Sequence, residues 1–451
     1  MTFSNNDSNG VEPQKIDQLE LKFESSERQE TQFKSNKDEG SHQKENKNNV
    51  SEKTNNDTSK KEVKKDDAVH AAVKTNHKGN RRGNVSNSKK STVIKSDPKA
   101  LRMKYLDSNQ DLLLKIMVSE LYAHMGYATF IETDISTYNY GNTFRRETVS
   151  DIDVLAIKYD FDLRNTTVII ECKSGEQEAL NHLLKLDGIC RLRNATYGVL
   201  VQNRIPSNSR EVASQLGHTT WDQSEILSLL KSTGIWKQGL EDQLIDVFIQ
   251  RAELQKGASR EFPKFSKFLN TDYWLAPEFR NIQSIVTGLA QLKSSYNDKI
   301  DVHRFLVDQA ALLFMVSSIK ATHSILQNYV MFPQERLKDY LFGGARERKE
   351  REVLFDKINQ HMGEKTTFLP AYFDSYTELI LRYVSTPFFA KDVPFIWSQF
   401  INRQFNGQRS MVESVSLNAD PVALKLTRDA IRFLTKILGH RPSNWDAFLN
   451  S

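Results

Sequence analysis

The sequence predicts an α/β protein with a mixed central sheet flanked by helices, followed by an all-helical region and preceded by a charged arm. Three observations carry this prediction. Strand-like runs rich in apolar and β-branched residues fall between residues 127 and 221. Apolar residues at helical spacing surround these runs and continue alone from residue 236 onwards. The first hundred residues are dominated by Asn, Ser, Lys, Glu and Gln.

We predict that residues 1–100 form a disordered arm, because they hold too little apolar surface to offset the entropy of an ordered chain. Basic residues are concentrated near its end, where eight lysines and arginines at 74–99 oppose a single acid, Asp97. This stretch suits nonspecific contact with nucleic-acid phosphates. A solvated linker is the alternative interpretation.

Cysteine usage and hydropathy limit the class of protein. Two cysteines in 451 residues exclude a disulfide framework and a Cys-rich zinc site. The start, MTFSNNDSNG, has no charged region followed by an apolar run, and no continuous apolar stretch approaches the roughly 18 residues of a membrane span. We therefore expect a soluble, cytoplasmic protein with no membrane partner.

The elements of the α/β region follow one another in a simple order. Apolar residues recur every three or four positions up to Met125, which predicts a helix, and Gly126 suits its C-cap. Alternation or short apolar runs then predict strands at 127–135, 151–157, 166–173, 197–201 and 218–221. Helices are predicted at 176–193, 206–216 and 223–230. The first three strands can form an antiparallel meander, and the later ones require crossovers.

Only helical spacing is found in the last part of the chain. The longest periodic stretches are 240–254, 282–292, 302–329, 372–384 and 422–438. We predict three parts: an arm at 1–100, an α/β domain at 101–235 and a helical domain at 236–451. The helical domain exceeds what an α/β core needs for folding, so we expect it to select substrate, form a homodimer or bind a protein partner.

Charged side chains at the ends of two predicted strands suggest chemistry. Glu171 and Lys173 share one face of their strand, whereas Cys172 points the opposite way. Asp153 lies on the preceding strand, with Asp151 on the same face. If the strands pair, Asp153 and Glu171 converge, and such carboxylates repel unless a cation separates them. Mg²⁺ prefers hard oxygen ligands. The sequence therefore predicts a Mg²⁺ site, which Mn²⁺ can also fill.

These residues resemble a known family. Asp153-Val-Leu-Ala, followed on the next strand by Val-Ile-Ile-Glu171-Cys-Lys173, is similar to the motif of the PD-(D/E)xK, or restriction-endonuclease-like, nuclease superfamily. The resemblance covers roughly 105–235. It implies that Asp153 and Glu171 hold the divalent metal, that Lys173 assists the attacking water, and that DNA phosphodiesters are hydrolysed. A role in restriction or antiphage defence follows by analogy of fold. Ile152 stands where the motif's name has a proline.

Three alternatives to a DNA nuclease stay open at this point. The fold can bind nucleic acid or a protein partner without cutting, it can cut RNA, or the charges can be solvated strand ends in an ordinary sheet. Glu120, on the first predicted helix, is a candidate for a further acidic residue of the site. Asp151 is a candidate for a second metal ligand on its strand, although a solvated position suits it better. Cys172 is interpreted as a small buried apolar residue.

Several other polar and aromatic residues are interpreted as structural. The histidines at 124, 182 and 218 lack partners at metal-ligand spacing, and Gln202 and Asn203 are interpreted as a polar loop. Gly343-Gly-Ala lacks the ending of a phosphate-binding loop. Aromatic residues among Lys264 and Lys267 suit helix packing better than base stacking; they are Phe262, Phe265, Phe268, Tyr273 and Trp274.

Overall fold

The fold is taken from a computed structural model. It describes residues 102–103, 105–107, 110–139, 145–175, 178–236, 240–327, 332–362, 368–405 and 419–450, with only the backbone at 135–139, 145–149, 362, 403–405 and 447. The predicted arm, including the basic stretch 74–99, lies outside these residues, so its disorder stays a prediction. All described residues belong to one compact unit that spans 90–451.

A five-stranded sheet forms the centre of the α/β region, with its strands in the order in which they occur along the chain. The strands are β1 (Ala128–Asn139), β2 (Arg145–Tyr159), β3 (Asn165–Lys173), β4 (Tyr197–Gln202) and β5 (Thr219–Asp222). The first three are antiparallel, whereas β4 runs parallel to β3 and β5 parallel to β4. The predicted mixed sheet with an antiparallel meander is confirmed.

Helices cover both faces of this sheet. They are α1 (Leu112–His124), α2 (Ala179–Leu192), α3 (Ser207–Gln215) and α4 (Gln223–Ser232). The predicted C-cap of α1 is confirmed: Gly126 has φ +87°, its N–H donates to Ala123 O, and the Tyr127 N–H donates to Tyr122 O at 3.0 Å. This is a Schellman motif, which requires the left-handed conformation that glycine adopts without strain. It turns the chain directly into β1.

The described elements that follow residue 236 are all helical, as predicted. Its elements are α5 (Leu240–Glu261), α6 (Pro263–Lys267), a π-helical turn (Phe268–Asp272), α7 (Tyr273–Leu275), α8 (Glu278–Leu292), α9 (Asp301–Gln327), α10 (Pro333–Phe342), α11 (Ala345–Met362), α12 (Phe373–Ser385), α13 (Pro387–Ala390), α14 (Val393–Phe405), α15 (Pro421–Leu438) and α16 (Ser443–Asn450). The five predicted stretches correspond to α5, α8, α9, α12 and α15. Each presents an apolar face that is buried.

The two faces of the sheet belong to different apolar clusters. Val154, Val168, Ile170 and Cys172 pack with α1 and α4. The other face, with Leu155, Ile157 and Ile169, packs with α2 and joins the core of the helical region. The Tyr159 hydroxyl donates to Val316 O of α9 at 3.3 Å, and the Phe130 ring contacts Trp274 edge-on. The core is therefore continuous across the change from sheet to helices near residue 235.

Helix α9 lies at the centre of the helical region. Among the described residues it is the one helix that is long and apolar enough, by length and composition alone, to cross a membrane. Of its most apolar window, 89% is buried inside the protein. Its apolar character is therefore accounted for by its position in the core, because a helix that is apolar all round suits the interior of a large domain.

Candidate active site

Strand pairing brings Asp153 and Glu171 together at one end of the sheet. Val154 is aligned with Ile170, so the next residues along the two strands are Asp153 and Glu171. The Cys172 N–H donates to Asp153 Oδ2 at 2.8 Å, and the side chain thereby continues the hydrogen bonding between the strands. Both carboxylates are almost fully buried, with side chains 4% exposed. The predicted convergence of these two side chains is confirmed.

Lys173 lies between the two carboxylates, as the strand alternation predicted. Its Nζ is 3.3 Å from Asp153 Oδ2 and 3.0 Å from Glu171 Oε1. Burial lowers the pKa of Lys173, but the two carboxylates outweigh this effect and hold the pKa above its usual value. The side chain is therefore an ammonium at neutral pH, which can donate hydrogen bonds but cannot accept a proton.

A second lysine, not recognised from the sequence, reaches the same carboxylate from helix α1. Asp111, just before α1, accepts a hydrogen bond from the Ser174 N–H and ties the start of the helix to the end of β3. One turn later, Lys115 Nζ lies 2.9 Å from Asp153 Oδ1. Burial lowers the pKa of Lys115, but Asp153 and Glu132 together raise it by more. The only signal in the sequence was a lysine between Leu114 and Ile116, inside a run of apolar residues.

Glu132 and Lys185 complete the charged cluster. Glu132 Oε1 is 3.4 Å from Lys115 Nζ, and Lys185 Nζ is 3.5 Å from Glu171 Oε1. Glu132 has φ +57°, a left-handed conformation that costs a residue with a side chain about 1–3 kcal/mol. Such strain persists only where the surrounding structure imposes it, and here the strained residue lies opposite Asp153 in the neighbouring strand.

The charges in this cluster balance without a metal ion. Three ammonium groups meet three carboxylates; they belong to Lys115, Lys173, Lys185, Asp153, Glu171 and Glu132. The sequence argument treated Asp153 and Glu171 as mutually repelling in the absence of a metal. The structure corrects this premise, because lysines already compensate both side chains. Removing either carboxylate would leave these lysines with fewer anionic partners, and the loss of Asp153 would affect the buried Lys115 most.

The donor set is nevertheless compatible with a hard divalent cation. Asp153 and Glu171 converge on one position that an ammonium now fills, and every ligand atom they offer is an oxygen. Within the described ranges, no group of three or more His, Cys, Asp or Glu side chains is placed to hold a metal. A cation would therefore have two carboxylates and complete its shell with backbone oxygen and water, as Mg²⁺ does.

The two further acids considered from the sequence lie elsewhere. Glu120 is close to Arg251 of α5, whose pKa is lowered by burial and raised in part by the Glu120 carboxylate. The residue of α1 that reaches Asp153 is Lys115. Asp151 is exposed, as expected of a solvated residue, but it lies inside β2 and not at its start, directly opposite Asp134 of β1. Neither side chain contacts Asp153 or Glu171 in any interaction seen among the described residues.

The residues interpreted as structural pack accordingly, with one correction: Gln202 is not in a polar loop but is the last residue of β4, fully buried because it pairs with Lys173 of β3 inside the sheet. Cys172 is fully buried, and burial raises the pKa of its thiol well above the usual value, so it acts as an apolar residue. His218 Nδ1 accepts from the Gly198 N–H at 3.1 Å, His124 is exposed, and Asn203 donates to Ser174 O. His182 alone lies near the charged cluster, where burial and then Lys173 lower its pKa.

The aromatic residues at 262–274 form helix contacts, as predicted. All five are buried in or packed against the main core. A side chain at Gly288 would meet the ring of Phe265 at 2.1 Å, so this close approach of α6 to α8 requires glycine. Gly343 has φ +89° and ends α10 next to Phe279, which accounts for the glycines before α11.

No protein-family model, no curated protein and no solved structure matches this chain.

Proposed function

We propose that this chain is a metal-dependent nuclease with a restriction-endonuclease-like fold, which hydrolyses DNA phosphodiester bonds. One observation carries the proposal: Asp153 and Glu171 are brought from adjacent strands to a single buried position, where the Lys173 ammonium contacts both. Buried ionised groups are costly to assemble, so such a cluster is a candidate for a functional role. A part in restriction or antiphage defence belongs to the same proposal.

Each residue has a distinct role in this mechanism. Asp153 and Glu171 would hold Mg²⁺, with Mn²⁺ as a substitute, and a bound divalent ion makes water more acidic and polarises a phosphodiester. Lys173 would be displaced from the carboxylates by the ion, and its ammonium could then orient the attacking water or stabilise charge developing on phosphorus. In both roles Lys173 would act as a hydrogen-bond donor.

Charge balance favours an anionic substrate. The cluster is neutral with three lysines and three acids, so a divalent cation would leave a local excess of positive charge. A nucleic-acid phosphate supplies the missing negative charge beside the site. Lys185, whose side chain is 47% exposed, is the lysine of the cluster best placed to meet it at the surface.

The test is a cutting assay with purified full-length protein. Plasmid, linear duplex DNA, single-stranded DNA and RNA are each incubated with Mg²⁺, Mn²⁺ or EDTA. We expect cutting of DNA with either metal and none in EDTA, and Asp153→Asn and Glu171→Gln to abolish it. Asp151→Asn is the matched control, since Asp151 is exposed and should leave the rate unchanged. If only RNA is cut, RNA replaces DNA as the proposed substrate. Cutting at the wild-type rate by Asp153→Asn or Glu171→Gln would refute the assignment of the active site.

A second candidate is a nuclease-like module that binds nucleic acid or a protein partner without cutting. The observation that favours it is the complete pairing of the carboxylates with lysines, which leaves the site stable without a metal. The same assay separates the two functions. Binding of DNA that is equal in Mg²⁺ and EDTA, with no product under any condition, would support the module and contradict the nuclease.

A further inference from the structure

Helix α15 carries exposed charge of one sign. Its basic residues are Lys425, Arg428, Arg432 and Lys436, and its only acid is Asp429. Lys425, Arg432 and Lys436 are exposed, whereas Asp429 is buried. Helix α11 instead mixes acidic and basic residues, as a solvated helix surface usually does. The face that α15 presents to solvent is therefore cationic.

The three exposed cations form a straight line, which we call the basic stripe. A helix turns by about 100° per residue, so Lys425, Arg432 and Lys436 lie within about 40° of one another around α15. With a rise of about 1.5 Å per residue, the stripe is about 16 Å long. Lys425 and Lys436 form no ion pair within the part of the chain that the structure describes. Both ammonium groups are therefore available to a ligand.

An arginine from a second helix lies beside the stripe. Arg432 Nη1 is 3.1 Å from Asp429 Oδ1, and Nη1 of Arg382, on α12, is 2.7 Å from Asp429 Oδ2. A guanidinium has several N–H donors in a planar fork, so one contact fixes it and leaves other donors for a ligand. The two side chains are 57% and 52% exposed. Asp429 thus holds two guanidinium groups in place at the surface, and the three groups together keep one net positive charge.

The stripe borders a groove of about 670 Å³ between α12 and α15. Arg382, Lys425 and Arg432 line this groove, together with the apolar side chains of Leu381 and Val422. The groove therefore offers cations to phosphate groups and apolar contact to the sugars between them.

The cations of α15 also repel one another. Arg428 and Arg432 lie one turn apart, and burial and then the charge of Arg432 lower the pKa of Arg428. Like charges four residues apart destabilise a helix. An anionic partner would compensate this repulsion.

We propose that the basic stripe, with Arg382 beside it, binds the phosphate backbone of a nucleic acid. Phosphates repeat regularly along a strand, so a line of cations meets several of them without reading the sequence. A protein surface mixes both signs of charge, and the stripe offers no exposed acid to the cations of such a partner. Binding requires neither a metal nor cutting, so this inference does not rest on the proposed nuclease. It gives the helical region a role of its own.

The experiment measures binding in EDTA by fluorescence anisotropy. Full-length protein is titrated into labelled duplex DNA, single-stranded DNA or RNA at several salt concentrations. The test variant is Lys425→Gln with Lys436→Gln, which should fold normally because both side chains are exposed. Each lost phosphate contact should flatten the slope of log affinity against log salt by about 0.9 for duplex DNA and about 0.7 for single strands. At about 0.1 M salt the affinity should fall by more than about tenfold.

Lys349→Gln with Lys357→Gln is the matched control, because these two lysines are exposed on α11 among acidic residues and should leave the slope unchanged. Labelled poly-glutamate is the probe for an acidic protein partner. Equal slopes for wild type and the α15 variant, no binding of any nucleic acid, or tighter binding of poly-glutamate would overturn the proposal. Binding through the stripe by a protein that cuts nothing would support it and contradict only the nuclease.

Discussion

A buried carboxylate in the helical region provides a quantitative test of the structure. Asp308 lies in the middle of α9 and is 2% exposed. Its Oδ1 accepts from Trp445 Nε1 at 2.6 Å, and Asn444 Nδ2 donates to both oxygens. Burial raises the pKa of Asp308 from 3.8 to about 7, although these hydrogen bonds and Arg304 oppose the change and Asp298 adds to it.

The sign of the effect follows from comparing the folded and unfolded states. Because the pKa of Asp308 is higher in the folded state, the folded protein holds this proton more tightly than the unfolded chain does. The contribution of this proton to the free energy of unfolding is complete below pH 3.8. It is lost as pH rises through about 7, where the folded carboxyl also ionises. A difference of about three pH units corresponds to about 4 kcal/mol of unfolding free energy. Asp308→Asn cannot titrate, so it should avoid this loss.

The assay is urea unfolding of wild type and Asp308→Asn at several pH values from 4 to 8. We expect the variant to gain stability relative to wild type as pH rises, by about 4 kcal/mol across the range. Asp356→Asn is the control, since Asp356 is exposed on α11 and should show no such trend. A difference between wild type and Asp308→Asn that is the same at every pH would refute the burial argument.

Three further predictions concern the charged cluster and the arm. Lys173→Ala should lose cutting but bind Mg²⁺ more tightly in a calorimetric titration, because its ammonium now occupies both carboxylates; weaker binding would contradict this. Lys115→Met should lower the free energy of unfolding by about 3 kcal/mol, since it removes a cation from a buried pair with Asp153. The double variant with Asp153→Asn should lose less unfolding free energy than the sum of the two single variants. Deleting 1–97 should flatten the slope of log DNA affinity against log salt, by about 0.9 for each phosphate that residues 74–97 neutralise in the full-length protein. Equal slopes would exclude this part of the arm from DNA binding.

The order and type of the elements in the α/β region could be predicted from the sequence because they depend on local periodicity. Short apolar runs mark β2 and β3, and apolar residues recur every three or four positions in α1; these patterns are recognised without knowledge of any distant residue. The same reasoning placed Glu171 and Lys173 on one face and Cys172 on the other. Pairing of β2 with β3 then brought Asp153 to Glu171, since the two strands are adjacent along the chain.

The partners of these carboxylates were decided by tertiary structure. Lys115 is a polar residue in an apolar helix, and nothing local indicates that the Asp111 contact with Ser174 aims it at Asp153. The contact of Phe130 with Trp274 likewise depends on where the helical region docks against β1. Such contacts join residues that lie far apart in the chain, and their geometry follows from packing over the whole core. Local sequence patterns determine faces and periods, whereas long-range packing determines which charges and which rings meet.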